Sequence, residues 1–222
     1  MEETWEFAVV NFPTPRTISS YNALEKLGRV RLSENFFMRE FLYSSIGDWY
    51  GLPNYPEDPK LAVEVGSKLC QDLLEPIRKK FGHVTIRSAY RSPTVNGKGA
   101  ENNNQHQCSS NEASAANHIW DLRDKAGNMG ACATIQVPWF MDNMGSAGHD
   151  WRSLAWWIHD NLPYHNQYFF REWGSLNLTW RENPERWIKS YVAPKGYLTR
   201  KGMENWDGNH SEHYSWIDEK LK

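Results

Sequence analysis

The sequence predicts an α+β fold, and three features carry that expectation. Leu61, Val65, Leu69, Leu73 and Ile77 recur every four residues, the mark of one long amphipathic helix. The short β-branched run Val84-Thr85-Ile86-Arg87-Ser88 comes directly after it and reads as a strand. A second helical stretch, 151–161, with Leu154, Trp157 and Ile158 on one side, precedes the alternating segment Ser175-Leu176-Asn177-Leu178-Thr179-Trp180, which suits another strand.

Each element along the chain has a local reason. Residues 1–30 read as an N-terminal arm or peripheral strand: Glu6-Phe7-Ala8-Val9-Val10 suits an edge strand, and Pro13 and Pro15 interrupt the stretch beyond it. Residues 31–222 are expected to form one domain, with an aromatic-rich C-terminal part. In residues 33–46 a short helix fits the second half, with Phe37 and Phe41 one turn apart. Asp58 can cap the long helix, Pro59 suits its first position, and Gly82 stops it after Lys79-Lys80. Residues 92–117 are rich in Asn, Ser and Gly and read as a long polar loop, a length that is more often functional than idle. His118-Ile119-Trp120-Asp121-Leu122-Arg123 reads as a strand, closed by the turn Lys125-Ala126-Gly127-Asn128. Residues 131–138 read as a strand, or as the end of a helix running into one. Glu185–Val192 reads as a short helix or strand.

Composition narrows the function classes. The chain has 222 residues, 40% hydrophobic and 23% charged, which suits globular folding with a sizeable core. The net charge is -2 and no basic block occurs, so no nucleic-acid footprint is expected. No run approaches the roughly 18 apolar residues of a membrane span, and the acidic Met1-Glu2-Glu3 start carries no secretory signal. Synthesis in the cytoplasm is the expectation. Three cysteines make no disulfide framework: Cys70 belongs on an apolar helix face, and Cys108 and Cys132 either pair or stay free. The 12 Trp residues read first as core packing, and alternatively as a carbohydrate-stacking or docking surface.

The strongest local pattern is Ser88-Ala89-Tyr90-Arg91-Ser92-Pro93-Thr94-Val95-Asn96. It is similar to the S-G-Y-R-S-x-x-x-N element of the zinc D-alanyl-D-alanine carboxypeptidase family, which includes D-Ala-D-Ala dipeptidases and several phage endolysins. Glu34-Asn35-Phe36 and Leu74-Glu75-Pro76-Ile77-Arg78 also resemble that family, and the likeness covers roughly residues 33–124. It implies a small, mainly antiparallel sheet flanked by helices, a Zn2+ cofactor, and hydrolysis of D-amino-acid-containing bacterial cell-wall peptides. It also implies a phage-encoded source, with the protein virion-associated or released onto the wall and other virion proteins as possible partners.

The resemblance assigns residues unevenly. Arg91 matches the arginine that stabilises the anionic intermediate or holds the substrate carboxylate, a task that a planar charged fork suits. The alternative is a structural Arg bonded to loop carbonyls. The family places a zinc-binding His seven residues before a zinc-binding Asp. Here His118 lies three residues before Asp121 and six before Asp124, and counting seven back from Asp121 reaches Ser114. In a regular strand His118 and Asp124 share a face. His118, Asp121 and Asp124 are thus the candidate metal ligands, with His118 alternatively a hydrogen-bonded junction residue. His106, after Gln105, is a more distant possibility. The family's late His falls at Arg181, which stays protonated and cannot bind metal. Its carboxylate falls at Leu178, leaving Glu182 as the candidate general base. His149, His159, His165, His210 and His213 remain by elimination. The other outcome is a peptidase fold whose metal site has decayed and which serves as a structural or binding component of a phage particle.

Overall fold

The structure, a computed structural model, describes residues 13–101, 105–170 and 174–222. The expected strand at Glu6–Val10 lies outside the described residues.

The fold is α+β. Helix α1 (Tyr21–Gly28) starts at Ser20, whose side chain caps the Ala23 N–H. It lies within the expected arm and places Leu27 in the core. A 3-10 turn (Met38–Phe41) and helix α2 (Ser45–Tyr50) replace the single short helix expected in 33–46. Phe41 is buried and Phe37 is exposed, because the tighter turn takes the two rings off a common face.

Helix α3 (Pro59–Leu69) begins as its sequence dictates, with the Asp58 side chain accepting from the Leu61 N–H and Pro59 at the first turn. It runs through a π turn, Cys70–Leu74, into α4 (Glu75–Phe81). Pro76 explains the widening. It cannot donate to the Asp72 carbonyl and its ring would crowd that oxygen, so the Glu75 N–H reaches back to Cys70 instead. Val65, Leu69, Leu73 and Ile77 are fully buried, and Gly82 at φ 83° ends the helix. The Glu75 carboxylate accepts from Ser33 Oγ at 2.6 Å, Asn35 N at 2.7 Å and Asn35 Nδ2 at 2.8 Å. The 33–36 and 74–78 segments therefore meet in space.

Among the described residues, six strands, β1 (Thr85–Ser88), β2 (Gly130–Gln136), β3 (Asn166–Phe169), β4 (Leu176–Arg181), β5 (Trp187–Ser190) and β6 (Gly196–Thr199), form one sheet in the order β1-β2-β4-β3-β5-β6. Every pairing is antiparallel except β3 with β5. Between β1 and β2 lie α5 (Pro93–Ala100) and α6 (Asn111–Ser114). Helices α7 (Pro138–Met144) and α8 (Trp151–Asn161) come after β2, and α9 (Ser215–Lys220) closes the chain.

Strand alternation splits the sheet into two unlike faces. Ala131, Ala133, Ile135, Leu176 and Leu178 are fully buried on one face. Trp180, on that same face, donates to Asp72 of the π turn at 2.9 Å, and Gln167 donates to the Ala155 carbonyl of α8 at 3.1 Å. The helices therefore cover this side. Among the described residues, five tryptophans (Trp120, Trp151, Trp156, Trp157, Trp216) are buried, so packing accounts for much of the indole content.

Two stretches depart from the sequence expectation. The long polar loop 92–117 contains α5, capped by Ser92, and the single turn α6, capped by Ser110. Residues 118–123 are turns, not a strand: a bridge between Ala115 and Ile119 and the Ala116 N–H to Leu122 carbonyl bond (2.7 Å) fold the segment on itself. Cys108 and Cys132 are both free, as is Cys70.

Candidate binding cleft

The second sheet face is polar. At its β1–β2–β4 end it floors a cleft of about 870 Å³, walled by the Ala89–Ser92 turn, the α5–α6 connection and the folded segment 114–118. Gly130 lets that segment lie down, because a Cβ there would run into the Ala116 carbonyl oxygen. The Asn117 carbonyl accepts from the Cys132 N–H at 2.8 Å and pins the segment to β2.

Arg91 lies at the base of the cleft, only 9% exposed. Its Nη1 donates to Cys108 Sγ, and its Nε has no partner among the described residues. No carboxylate pairs with it among the described residues. Burial lowers its pKa, opposed by neighbouring Cys108 and Cys132. Among the described residues, no loop carbonyl is bonded to its side chain, in contrast to the expected structural alternative.

His118 lies beside it. The His118 carbonyl accepts from the Arg91 N–H at 2.8 Å, and its ring Nδ1 donates to the Ala89 carbonyl at 2.7 Å. Burial, reinforced by the Arg91 charge, drives the imidazole pKa down to about 3 against that carbonyl's pull. The ring is therefore neutral at pH 7, with Nε2 as the acceptor nitrogen. The Asn117 amide oxygen is also buried without a partner among the described residues. The cleft thus presents a buried fork of donors beside two acceptors. Its other charged lining, Arg87 and Lys195, is cationic, and no Asp or Glu lines it among the described residues.

The other expected ligands do not join His118. The Asp121 carboxylate turns toward the start of α3 and accepts from the N–H groups of Glu57 (2.7 Å) and Asp58 (3.4 Å). Burial raises its pKa against those bonds. Asp124 closes the 124–128 turn, accepting from the Ala126 and Asn128 N–H groups at 2.9 Å, and Arg181 Nη1 lies 3.6 Å away. That ion pair is what occupies the place of the expected late His. Because 118–124 is turned rather than extended, the even spacing of His118 and Asp124 gives them no shared face. Ser114, seven residues before Asp121, does line the cleft, as a hydroxyl. Glu182 is exposed just past β4 and accepts from the Met129 N–H at 3.2 Å. It stands five residues, about 16 Å of extended strand, beyond the cleft residue Asn177. It cannot act as a base there.

Among the described residues, one grouping could hold a metal ion: His159, Asp160 and His210, whose ligand atoms lie within 4.8 Å of one another. It lies at the C-terminal end of α8 and does not line the cleft. Its atoms are already engaged. His210 Nδ1 meets Asp160 Oδ1 at 2.7 Å and its Nε2 meets the Asn205 carbonyl at 3.1 Å. His159 bonds the Tyr164 hydroxyl (2.6 Å) and the Trp206 carbonyl (2.9 Å). A metal would displace these bonds. Sequence reasoning reaches His159 and His210 only by elimination and misses Asp160. No local spacing links residues fifty apart.

No family model, curated protein or solved structure matches this chain. Among the described residues, no helix is long and apolar enough to cross a membrane.

Proposed function

We propose that the cleft binds a peptide through its carboxylate, on a peptidase-like fold that does not assemble a hydrolytic zinc centre there. The observation that carries this reading is Arg91, a buried cation with no carboxylate partner among the described residues. Holding such a charge out of water costs several kcal/mol, roughly, unless it is paired. A ligand carboxylate would offset that cost, at about 1.5–3 kcal/mol per charged hydrogen bond. The Asn117 amide oxygen and His118 Nε2 would accept from the peptide N–H groups. The resemblance of Ser88–Asn96 to the D-Ala-D-Ala carboxypeptidases supplies the ligand class: a cell-wall peptide ending in D-amino acids. A binding component of a phage particle is the setting that this reading suits.

The test is calorimetric titration with N-acetyl-Lys-D-Ala-D-Ala and its C-terminal amide. Binding of the free acid that disappears on amidation, and in Arg91→Ala, is expected. Equal binding of acid and amide would refute the proposal.

One observation favours a second reading, a zinc peptidase. The Nδ1–H to carbonyl bond of His118 is how a metal-binding His is oriented by its surroundings. Hydrolysis requires three protein ligands and a water. One zinc per chain, lost in His118→Ala and retained in His210→Ala, together with cleavage of the same peptide, would establish it.

A further inference from the structure

Strand register aligns one residue from each strand in a row across the polar face. Ser88 opposes Thr134, Thr134 opposes Asn177, Asn177 opposes Tyr168, Tyr168 opposes Lys189, and Lys189 opposes Tyr197. The first four line the cleft and the last two lie beyond it. Five strand spacings make the row about 24 Å long, at right angles to the strands.

The row changes character along its length. At the cleft end it is neutral and hydrogen-bonding, with Thr134 donating to the Asn177 amide oxygen at 2.6 Å. Beyond β4 it becomes aromatic and cationic. Tyr168 and Tyr191 meet edge to face at 5.3 Å, and Trp187 and Tyr197 at 6.0 Å. Lys189 Nζ lies 5.2 Å from the Tyr197 ring centre, and the Arg200 guanidinium lies 4.7 Å from it. Tyr191 is 55% exposed and Tyr197 44%, so these rings present surface that no part of the described chain covers. Lys189, Lys195 and Arg200 form no ion pair among the described residues. Glu185, at the outer end, accepts from Trp187 Nε1. On a chain of net charge -2, this face is a local excess of positive charge.

We infer that this row is a binding track for an acidic polysaccharide lying across the sheet from β6 toward β1. Exposed aromatic rings suit the C–H faces of sugar rings, and cations beside them, without an ion pair among the described residues, suit carboxylates set along the chain. The hydroxyl and amide side chains of the floor both donate and accept, as sugar hydroxyls require. A phosphodiester chain fits the row less well, because its members Ser88, Thr134, Asn177 and Tyr168 carry no charge, the cations Arg87, Arg91 and Lys195 standing beside it in the cleft. The track shares the cleft with the proposed peptide site but does not use Arg91, so either can fail alone.

The test uses the full chain and a hexamer of galacturonic acid, with a neutral glucan hexamer and a single-stranded oligodeoxynucleotide as comparators. Lys189→Ala/Tyr197→Ala changes exposed or half-exposed side chains. The double variant should bind the acidic hexamer at least about tenfold more weakly. Its thermal melting should match that of the unaltered chain, which reports an intact fold independently of the peptide site. Preference for the acidic over the neutral hexamer is expected. No binding of the acidic hexamer, equal binding by the double variant, or tighter binding of the oligonucleotide would each overturn the inference.

Discussion

Arg91 and His118 hold each other in place through the main chain. The Arg91 N–H donates to the His118 carbonyl, while the His118 ring reaches past it to the Ala89 carbonyl. This double tie fixes the guanidinium and the neutral imidazole in one wall of the cleft, although 26 residues separate them between α5, α6 and the folded turn.

Arg91 should trade stability for binding. Arg91→Met removes a buried charge that no carboxylate balances, so thermal melting should rise by a few degrees. The same change should abolish peptide binding. Arg91→Lys keeps the charge but loses the fork, and should weaken binding at least about tenfold. Calorimetry and melting on the same samples check both.

Stability should fall with mild acid. Burial lowers the His118 pKa to about 3 and the His165 pKa to about 4, from 6.5. Between those values and 6.5 the unfolded chain binds more protons than the folded one, so stability rises with pH. The contribution is complete above pH 6.5 and is lost progressively as the pH falls toward 4 and then 3. Urea midpoints measured from pH 7.5 down to pH 5 should decline, and the decline should be shallower in His118→Gln. Asp121, raised by burial, acts with the opposite sign, and only between its ordinary carboxylate value and its raised one.

Gly130→Ala should cost about 1–3 kcal/mol, because the new methyl meets the Ala116 carbonyl and the segment carrying His118 must lift. Denaturant unfolding gives the cost. Peptide affinity should fall in parallel, although Gly130 is not part of the cleft lining.

Asp160 should matter through hydrogen bonds. Its carboxylate accepts from the His210 ring, the His210 N–H and the Tyr214 hydroxyl, tying the C-terminal segment to α8. Asp160→Ala should destabilise by about 1–3 kcal/mol. The loss should be the same with and without chelator if these bonds, rather than a metal, hold the segment.

Much of the fold is legible locally. Asp58-Pro59 and Gly82 bracket the long helix, residues 151–161 match α8, and the alternation of Ser175–Trp180 becomes β4, because caps and periodicity are properties of neighbours in sequence. The turned conformation of 118–123 is not legible in this way. Its β-branched and aromatic residues suit a strand, and bonds that include Ala116 N–H to the Leu122 carbonyl, Ile119 N–H to the Ser114 carbonyl and Cys132 N–H to the Asn117 carbonyl override that preference. The same holds for α5, whose Asn- and Gly-rich composition hides a helix held by the Ser92 cap and by Asn96 bonded to Asn111 at 2.9 Å.

Local patterns along the chain therefore set the α+β class, place the long helix, α8 and strands β1, β2 and β4, and single out Arg91. Long-range contacts settle what surrounds it: Asp121 and Asp124 turn away from His118, Glu182 stands beyond reach, and six strands align a polar row on one face. Ligand convergence and strand register depend on contacts between residues tens of positions apart. No spacing along the chain encodes them.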